Sequence, residues 1–240
     1  MALPYAQDKV IEALAEVNDN IVAVIVSGNA VEMPWIDKVD GVVEAWFLGT
    51  QAGHAIADVL LGNVNPSGKL PFTFPVKLED NGAHALEAYH TDSLQVEYKE
   101  GIFVGYRWAE KNNIKPLFAF GHGLSYTTFE YGEAKCRKSN KGFKVTVDVT
   151  NTGSREGKEI VQLYIGDQES GLERPVKELK GYDKVTIKRG TTHHFVVSIP
   201  YSNLECYDIA TRRMVRAAQG IEDLRIYVGA SSADIRLTRE

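Results

Sequence analysis

The residues from Glu97 to Tyr131, EYKEGIFVGYRWAEKNNIKPLFAFGHGLSYTTFEY, separate two different hydrophobic rhythms and thereby limit what this chain can become. Before them, apolar runs alternate with segments of helical period; after them, short alternating runs follow one another with no long helical stretch. The first pattern predicts strands and helices in layers, the second an all-β domain. The stretch itself carries Phe103, Phe118, Phe120, Phe129, Tyr98, Tyr106, Tyr126 and Tyr131, with glycines at 101, 105, 121 and 123. Aromatics at that density pack a core or an interface between domains, and glycines among them allow sharp turns.

In the first half, Val10, Ile11, Leu14 and Val17 recur at helical spacing and predict a helix up to about Val17 with one apolar stripe. The β-branched run Ile21–Val26 predicts a strand buried on both faces, with Ser27-Gly28-Asn29 at its carboxyl end, where ligands bind in α/β sheets. Gly41–Leu48 reads as a second strand, followed by a helix from about Gln51 to Leu61 with Ile56, Val59 and Leu60 inward and Gly62 as its cap. Two prolines confine Leu70–Pro75 to an edge or an extended arm. Lys77–Gln95 reads as a surface loop.

In the second half, Phe143–Asn151 alternates strictly and predicts a half-buried strand, with a turn to Gly157. Ile160–Ile165, a pair of short strands within Lys177–Ile187, His194–Ile199 and Leu224–Gly229 complete an antiparallel sandwich. The expected boundary lies near Thr127 to Gly132. The resulting domains are 1–126, an α/β partial sandwich with a mostly parallel sheet and flanking helices that includes the junction, and 127–240, an all-β sandwich.

A chain of 240 residues with a net charge of -5 lacks the basic face that nucleic acid requires, and no apolar run reaches the length of a membrane span. Ala2–Asn18 is too acidic and too polar for a secretion signal. Cys136 and Cys206 stand outside any C-x-x-C pair and read as two free thiols rather than a bridge.

Candidate chemistry is sparse. His54, His84, His90, His122, His193 and His194 form no H-E-x-x-H and no ligand triad, so packing or surface roles are expected and no metal. Gly49-Thr50-Gln51-Ala52-Gly53 lacks the dinucleotide glycine pattern and the phosphate-loop lysine, and reads as a strand-to-helix turn; no cofactor is expected. Glu97 and Glu100 are a tempting carboxylate pair, as glycoside hydrolysis would need. On alternation they fall on opposite faces, and Glu100 reads instead as a structural carboxylate holding backbone amides or Arg107. Trp35, Trp46 and Trp108 offer either sugar-stacking platforms or core packing, with core packing the better reading.

Lys99-Glu100-Gly101-Ile102-Phe103-Val104-Gly105-Tyr106-Arg107 and Phe120-Gly121-His122-Gly123-Leu124-Ser125-Tyr126-Thr127-Thr128-Phe129 resemble the junction of family-3 glycoside hydrolases, the β-glucosidase and β-xylosidase group. Ser27–Trp35, Gly49–Gly53, Ala55–Leu60 and Asn65–Pro71 are similar to blocks of that family's α/β sandwich domain. Val149–Gly153, Val161–Tyr164 and Arg174–Gly181 resemble its fibronectin type III-like module, whereas Ala217-Ala218-Gln219-Gly220 departs from the acidic-Pro-Gly turn usual there. The resemblance implies a retaining, exo-acting β-glycosidase releasing terminal glucosyl or xylosyl residues from β-linked oligosaccharides or glycosides, and export to the periplasm or secretion.

It also implies that the (β/α)8 barrel with its aspartate nucleophile, and the acid/base glutamate preceding a block similar to Leu3-Pro4-Tyr5-Ala6-Gln7, lie outside this stretch. No catalytic residue is therefore assigned, neither Glu32 nor Glu97 nor Glu100, and the chain alone is expected to be inactive. Its expected partners are the missing barrel and sandwich half, or a second copy through an exposed sheet edge. A stand-alone carbohydrate-binding or scaffold module is the alternative.

Overall fold

A computed structural model describes residues 1–89, 94–167, 171–216 and 224–239. His90 and the 217–220 turn lie outside the described residues.

The first part begins with helix α1 (Gln7–Ala15) and strand β1 (Val22–Ile25), which pairs in parallel with β2 (Gly41–Glu44). Helix α2 (Ala52–Leu60) follows, ended by Gly62 at φ 74° as the spacing predicts. Ala23 and Ile25 pack with Val31, Met33, Trp35 and Phe74 in one core, against which Ile11, Val42 and Leu70 rest. The other face of β1 is open: Val22 and Val26 are 51% and 59% exposed, so burial on both faces does not occur. Strands β1 and β2 form a two-stranded sheet, and no described element lies over that second face closely enough to bury it.

Other expectations need correction for the same reason. Helix α1 stops at Ala15, and Val10, Leu14 and Val17 of its stripe face solvent. On α2, Ile56 and Val59 are partly covered but Leu60 is exposed. Strand β2 ends at Glu44, well before Leu48, because Trp46 adopts φ 54° and turns the chain away. Lys77–Gln95 contains a 3-10 turn (Leu78–Asp80) and the short helix α3 (Gly82–Ala85), whose N-cap Asn81 accepts from the Ala83 N–H at 3.1 Å.

Leu70–Phe74 runs as an extended arm against Leu117–His122, with the Phe74 N–H donating to Phe118 O and the Gly121 N–H to Leu70 O, both at 2.8 Å. Between them in sequence, helix α4 (Tyr106–Lys111) forms inside the junction. Its aromatic composition conceals a helical turn from a reading of periodicity.

The second part is a β-sandwich. One sheet joins β5 (Gly142–Asn151) to β3 (Phe129–Tyr131) and β4 (Lys135–Ser139) along one edge and to β8 (Thr192–Pro200) along the other. The facing sheet has the order β12-β11-β6-β7, from β12 (Ile235–Arg239), β11 (Arg225–Gly229), β6 (Gly157–Gly166) and β7 (Glu178–Ile187). A hairpin of β9 (Cys206–Asp208) and β10 (Arg213–Val215) stands apart. Val145, Val147, Val149, Leu163, Ile165, Phe195, Ile226 and Val228 fill the space between the sheets. The pair of strands expected in Lys177–Ile187 is one strand; opposite β6 the register shifts between Leu163–Gly181 and Tyr164–Leu179, so Lys180 is the extra residue of a bulge that breaks the alternation.

The two parts are sewn together by polar contacts. Asn65 donates to Glu156 O at 3.0 Å, and is itself held in the first part by the Tyr126 N–H at 2.8 Å and the Ser125 hydroxyl at 3.1 Å. Arg155 donates to Gly62 O at 2.9 Å and Lys184 to Ser67 O at 3.0 Å, while inside the first part the Tyr126 hydroxyl donates to Val59 O at 2.9 Å.

Candidate functional site

Parallel strands end at Ile25 and Glu44 on the same edge, and the loops that leave them are tied to each other there. The Trp46 N–H donates to Glu44 Oε1 at 3.0 Å, and the Ser27 hydroxyl sits 3.4 Å from both Glu44 oxygens while donating to Asn29 O at 2.7 Å. Burial pushes the Glu44 carboxyl above its ordinary value against the pull of those donors. Trp46 lies edge-on to Phe72 and Phe74, with ring centroids 5.4 and 6.1 Å away. That fixes the next residue, Phe47, over Gly28, where an added Cβ would come within 2.7 Å of the phenyl ring, and leaves Phe47 79% exposed. An exposed aromatic thus stands on a pinned loop at the carboxyl edge of a parallel pair, the edge at which ligands bind in α/β sheets. Among the described residues the Glu44 carboxyl is held by the Trp46 N–H and by Ser27 alone.

The other carboxylates are placed separately. Glu97 pairs with Lys99 at 3.1 Å on the surface. Glu100 and Trp108 both lie against Gly82, and burial raises the Glu100 carboxyl. Arg107 contacts Glu178 at 3.7 Å and Ile102 O at 3.5 Å, so the expected Arg107–Glu100 pair is replaced by one reaching the sandwich. Glu32 accepts from the Leu78 N–H at 2.9 Å. A shallow hollow beside α1, about 460 Å³, collects Glu12, Glu16, Asp19, Asp37 and Asp40 with Lys38, which pairs with Glu12 at 3.6 Å, while Asp40 accepts the Ile21 N–H at 2.8 Å.

The tryptophans differ in burial. Trp35 is 0% exposed and its indole N–H donates to Asp8 at 2.7 Å; Trp46 and Trp108 are half-buried. Among the described histidines, His122 stacks on Phe118, His193 meets Phe195 edge-on, His84 lies near Tyr89, His194 pairs with Asp148 at 2.6 Å, and His54 is exposed. No group of three metal-capable side chains forms among the described residues. Cys136 and Cys206 are both free.

Sequence reading did not anticipate the charged seam between α4 and β7. Glu178 receives Arg174, Lys180 and Arg107, while Lys177 reaches back to Glu110 and Lys111 to Glu173. Burial raises the Glu178 carboxyl, but the Arg174 hydrogen bond and the charges of Lys180, Arg174 and Arg107 outweigh it and hold it below its ordinary value. Partners this far apart in sequence leave no local trace.

An α/β part with a pinned strand-end loop, sewn to an antiparallel β-sandwich, makes this a two-module chain. The glycosyl hydrolase family 3 C-terminal domain matches residues 1–126, and the fibronectin type III-like domain matches residues 159–232. The chain belongs to glycosyl hydrolase family 3. It is 50% identical over 242 residues to β-glucosidase BoGH3A of Bacteroides ovatus, covering 98% of this chain and 32% of that protein. It is 53% identical over 194 residues to thermostable β-glucosidase B of Acetivibrio thermocellus, covering 79% and 25%. The β-glucosidase from Kluyveromyces marxianus in complex with glucose superposes with a TM-score of 0.94 at 38% identity, over 100% of this chain and 28% of that one. The chain thus spans a third or less of the length of these relatives.

Proposed function

We propose that this chain is the non-catalytic, site-completing portion of a retaining exo-β-glycosidase acting on terminal β-D-glucosyl or xylosyl residues. Residues 1–126 serve as the later part of its α/β sandwich and 127–240 as its fibronectin-like module. The observation that carries the reading is the open β1–β2 sheet: a parallel pair alone is marginal, and Val22, Val26, Leu60 and Leu61 leave apolar surface that further strands and helices would cover. The Phe47 loop then forms one wall of the sugar site, and neither Glu97 nor Glu100 acts as acid, base or nucleophile. The partner is the remaining two-thirds of the enzyme, bearing a barrel and both reactive carboxylates.

The test is turnover of an aryl β-glucoside by the purified chain, alone and mixed with the corresponding upstream portion of a relative. No turnover alone and turnover on mixing is the expected result. Turnover by the chain itself, abolished by one carboxylate substitution within it, overturns the reading.

A further inference from the structure

From Lys135 to Lys144 the chain reads KCRKSNKGFK, five cations and no acid in a chain whose net charge is -5. The run folds as β4, a turn and the start of β5, and Lys135, Arg137, Lys138, Lys141 and Lys144 are all exposed. Among the described residues none of these side chains has an ion-pair partner. The turn that presents them is pinned. The Ser139 hydroxyl donates to Gly142 O at 2.9 Å, and the Tyr201 N–H and hydroxyl donate to Lys141 O and Ser139 O, both at 3.1 Å.

Guarding a sheet edge does not account for this charge. Lysines on an outer strand discourage pairing with other chains, which suits Lys135 and Lys138 on β4. Lys144, however, lies on β5, an interior strand flanked by β4 and β8, and it stands directly opposite Arg137. Like charges facing each other across two strands, with Cβ atoms about 5 Å apart, destabilise the pair. The sheet thus bears a repulsion that protection of its edge does not require, and an anion laid over the two cations would relieve it.

The surrounding groups narrow the anion. Across the outward face, Arg137 and Lys144 continue into Ser198 of β8, and Lys135 continues into Thr146 and Val196. Cations in register with hydroxyls suit a polymer that carries both carboxylates and sugar hydroxyls, and the Arg137 fork can take a carboxylate by two hydrogen bonds. The outward positions of β4, β5 and β8 offer no ring for stacking bases except His194, which Asp148 holds at 2.6 Å. They offer no large apolar side chain to enter a bilayer except Val196, 39% exposed.

We propose that the outward face of β4, β5 and β8 is a docking surface for a linear polysaccharide bearing carboxylates. The proposal is independent of the catalytic reading above, since it requires neither a barrel nor turnover.

The test titrates the 240-residue chain with polygalacturonate, its fully methyl-esterified form, vesicles of phosphatidylglycerol and phosphatidylcholine, and single-stranded DNA, by calorimetry and co-sedimentation. Polygalacturonate is expected to bind at about 0.1 mM or better in about 20 mM salt, and at least about fivefold more weakly in about 200 mM. The esterified polymer, which lacks the charge, is expected not to bind. Arg137→Gln with Lys144→Gln is expected to weaken binding at least about tenfold without lowering the urea midpoint, because the like-charge pair is gone. Lys188→Gln with Arg189→Gln makes the same change in charge at the opposite end of the sheet, beside the Asn151 N–H to Thr191 O bond, and is expected to leave the affinity within about twofold. No binding in low salt, equal binding of the esterified polymer, equal affinity or a lowered midpoint in the Arg137 and Lys144 variant, or tighter binding of vesicles or DNA overturns the proposal.

Discussion

The Thr127 hydroxyl donates to the Asn151 side-chain oxygen at 2.7 Å, where Asn151 is 0% and Thr127 7% exposed. The same amide accepts the Gly153 N–H at 3.1 Å and donates to Arg155 O at 2.8 Å and Ile187 O at 2.9 Å. One side chain thus closes the chain entry into the sandwich, the turn after β5 and the end of β7.

Asn151→Ala should destabilise the sandwich by roughly 2–4 kcal/mol, because it leaves several buried groups unsatisfied at once. Thr127→Val removes only one donor and should cost about 1 kcal/mol. Urea denaturation of both variants checks the ordering.

Glu178 gives the seam its dependence on acid. Its folded-state carboxyl lies below its ordinary value of 4.5, so its contribution is present above that value and is lost as pH falls through the depressed one. Glu178→Gln should cost about 3 kcal/mol at neutral pH, because Arg174, its side chain 9% exposed, loses its closest charged partner and keeps the 3.8 Å contact with Asp167. The difference from the parent chain should shrink below about pH 4.5. Denaturant titrations across pH 3–7 follow it; a gap constant over that range would remove Glu178 as its source.

Two tyrosines should not ionise while the chain is folded. Burial raises Tyr131, and Glu159, which accepts its hydroxyl at 2.7 Å, adds to the effect. Burial likewise raises Tyr164, whose hydroxyl donates to Gln162 at 2.6 Å, with Tyr106 and Glu110 contributing. A phenolate absorbance titration should show a late step that coincides with alkaline unfolding. Tyr131→Phe should reduce that step and cost about 1.5–3 kcal/mol, since Glu159 is 5% exposed and loses its donor.

The open face of β1 should make the isolated chain associate with itself. Sedimentation across a wide concentration range is expected to reveal reversible dimers or larger species, and Val22→Lys with Val26→Lys to suppress them. A compact monomer at every concentration would leave that face without a role in association.

Local patterns read well where local physics decides. Strict alternation located β5, and the positive φ of Gly62 follows from its place after an apolar helical stripe. They read poorly where a distant group decides. Lys180 bulges out of β7 and so halves the apparent strand, and α4 hides among aromatics that stack on the sandwich through Tyr106, Phe120 and Tyr164. At the candidate site, the Ser27–Asn29 loop was visible as the end of a buried run, but its tie to Glu44 was not. Phe47 needed the left-handed turn at Trp46, an angle that no apolar pattern encodes. The Glu110–Lys177 contact, 67 residues apart, left no trace at all.

Arg155, Lys184 and Asn65 each grip a backbone carbonyl across the seam rather than a particular side chain. A carbonyl keeps its place whatever residue carries it. Sandwich modules borrowed from other members of the family should therefore seat on this α/β part with little redesign, provided that they carry donors at the places of Arg155 and Lys184 and the charges of Glu173, Lys177 and Glu178 that meet Lys111, Glu110 and Arg107.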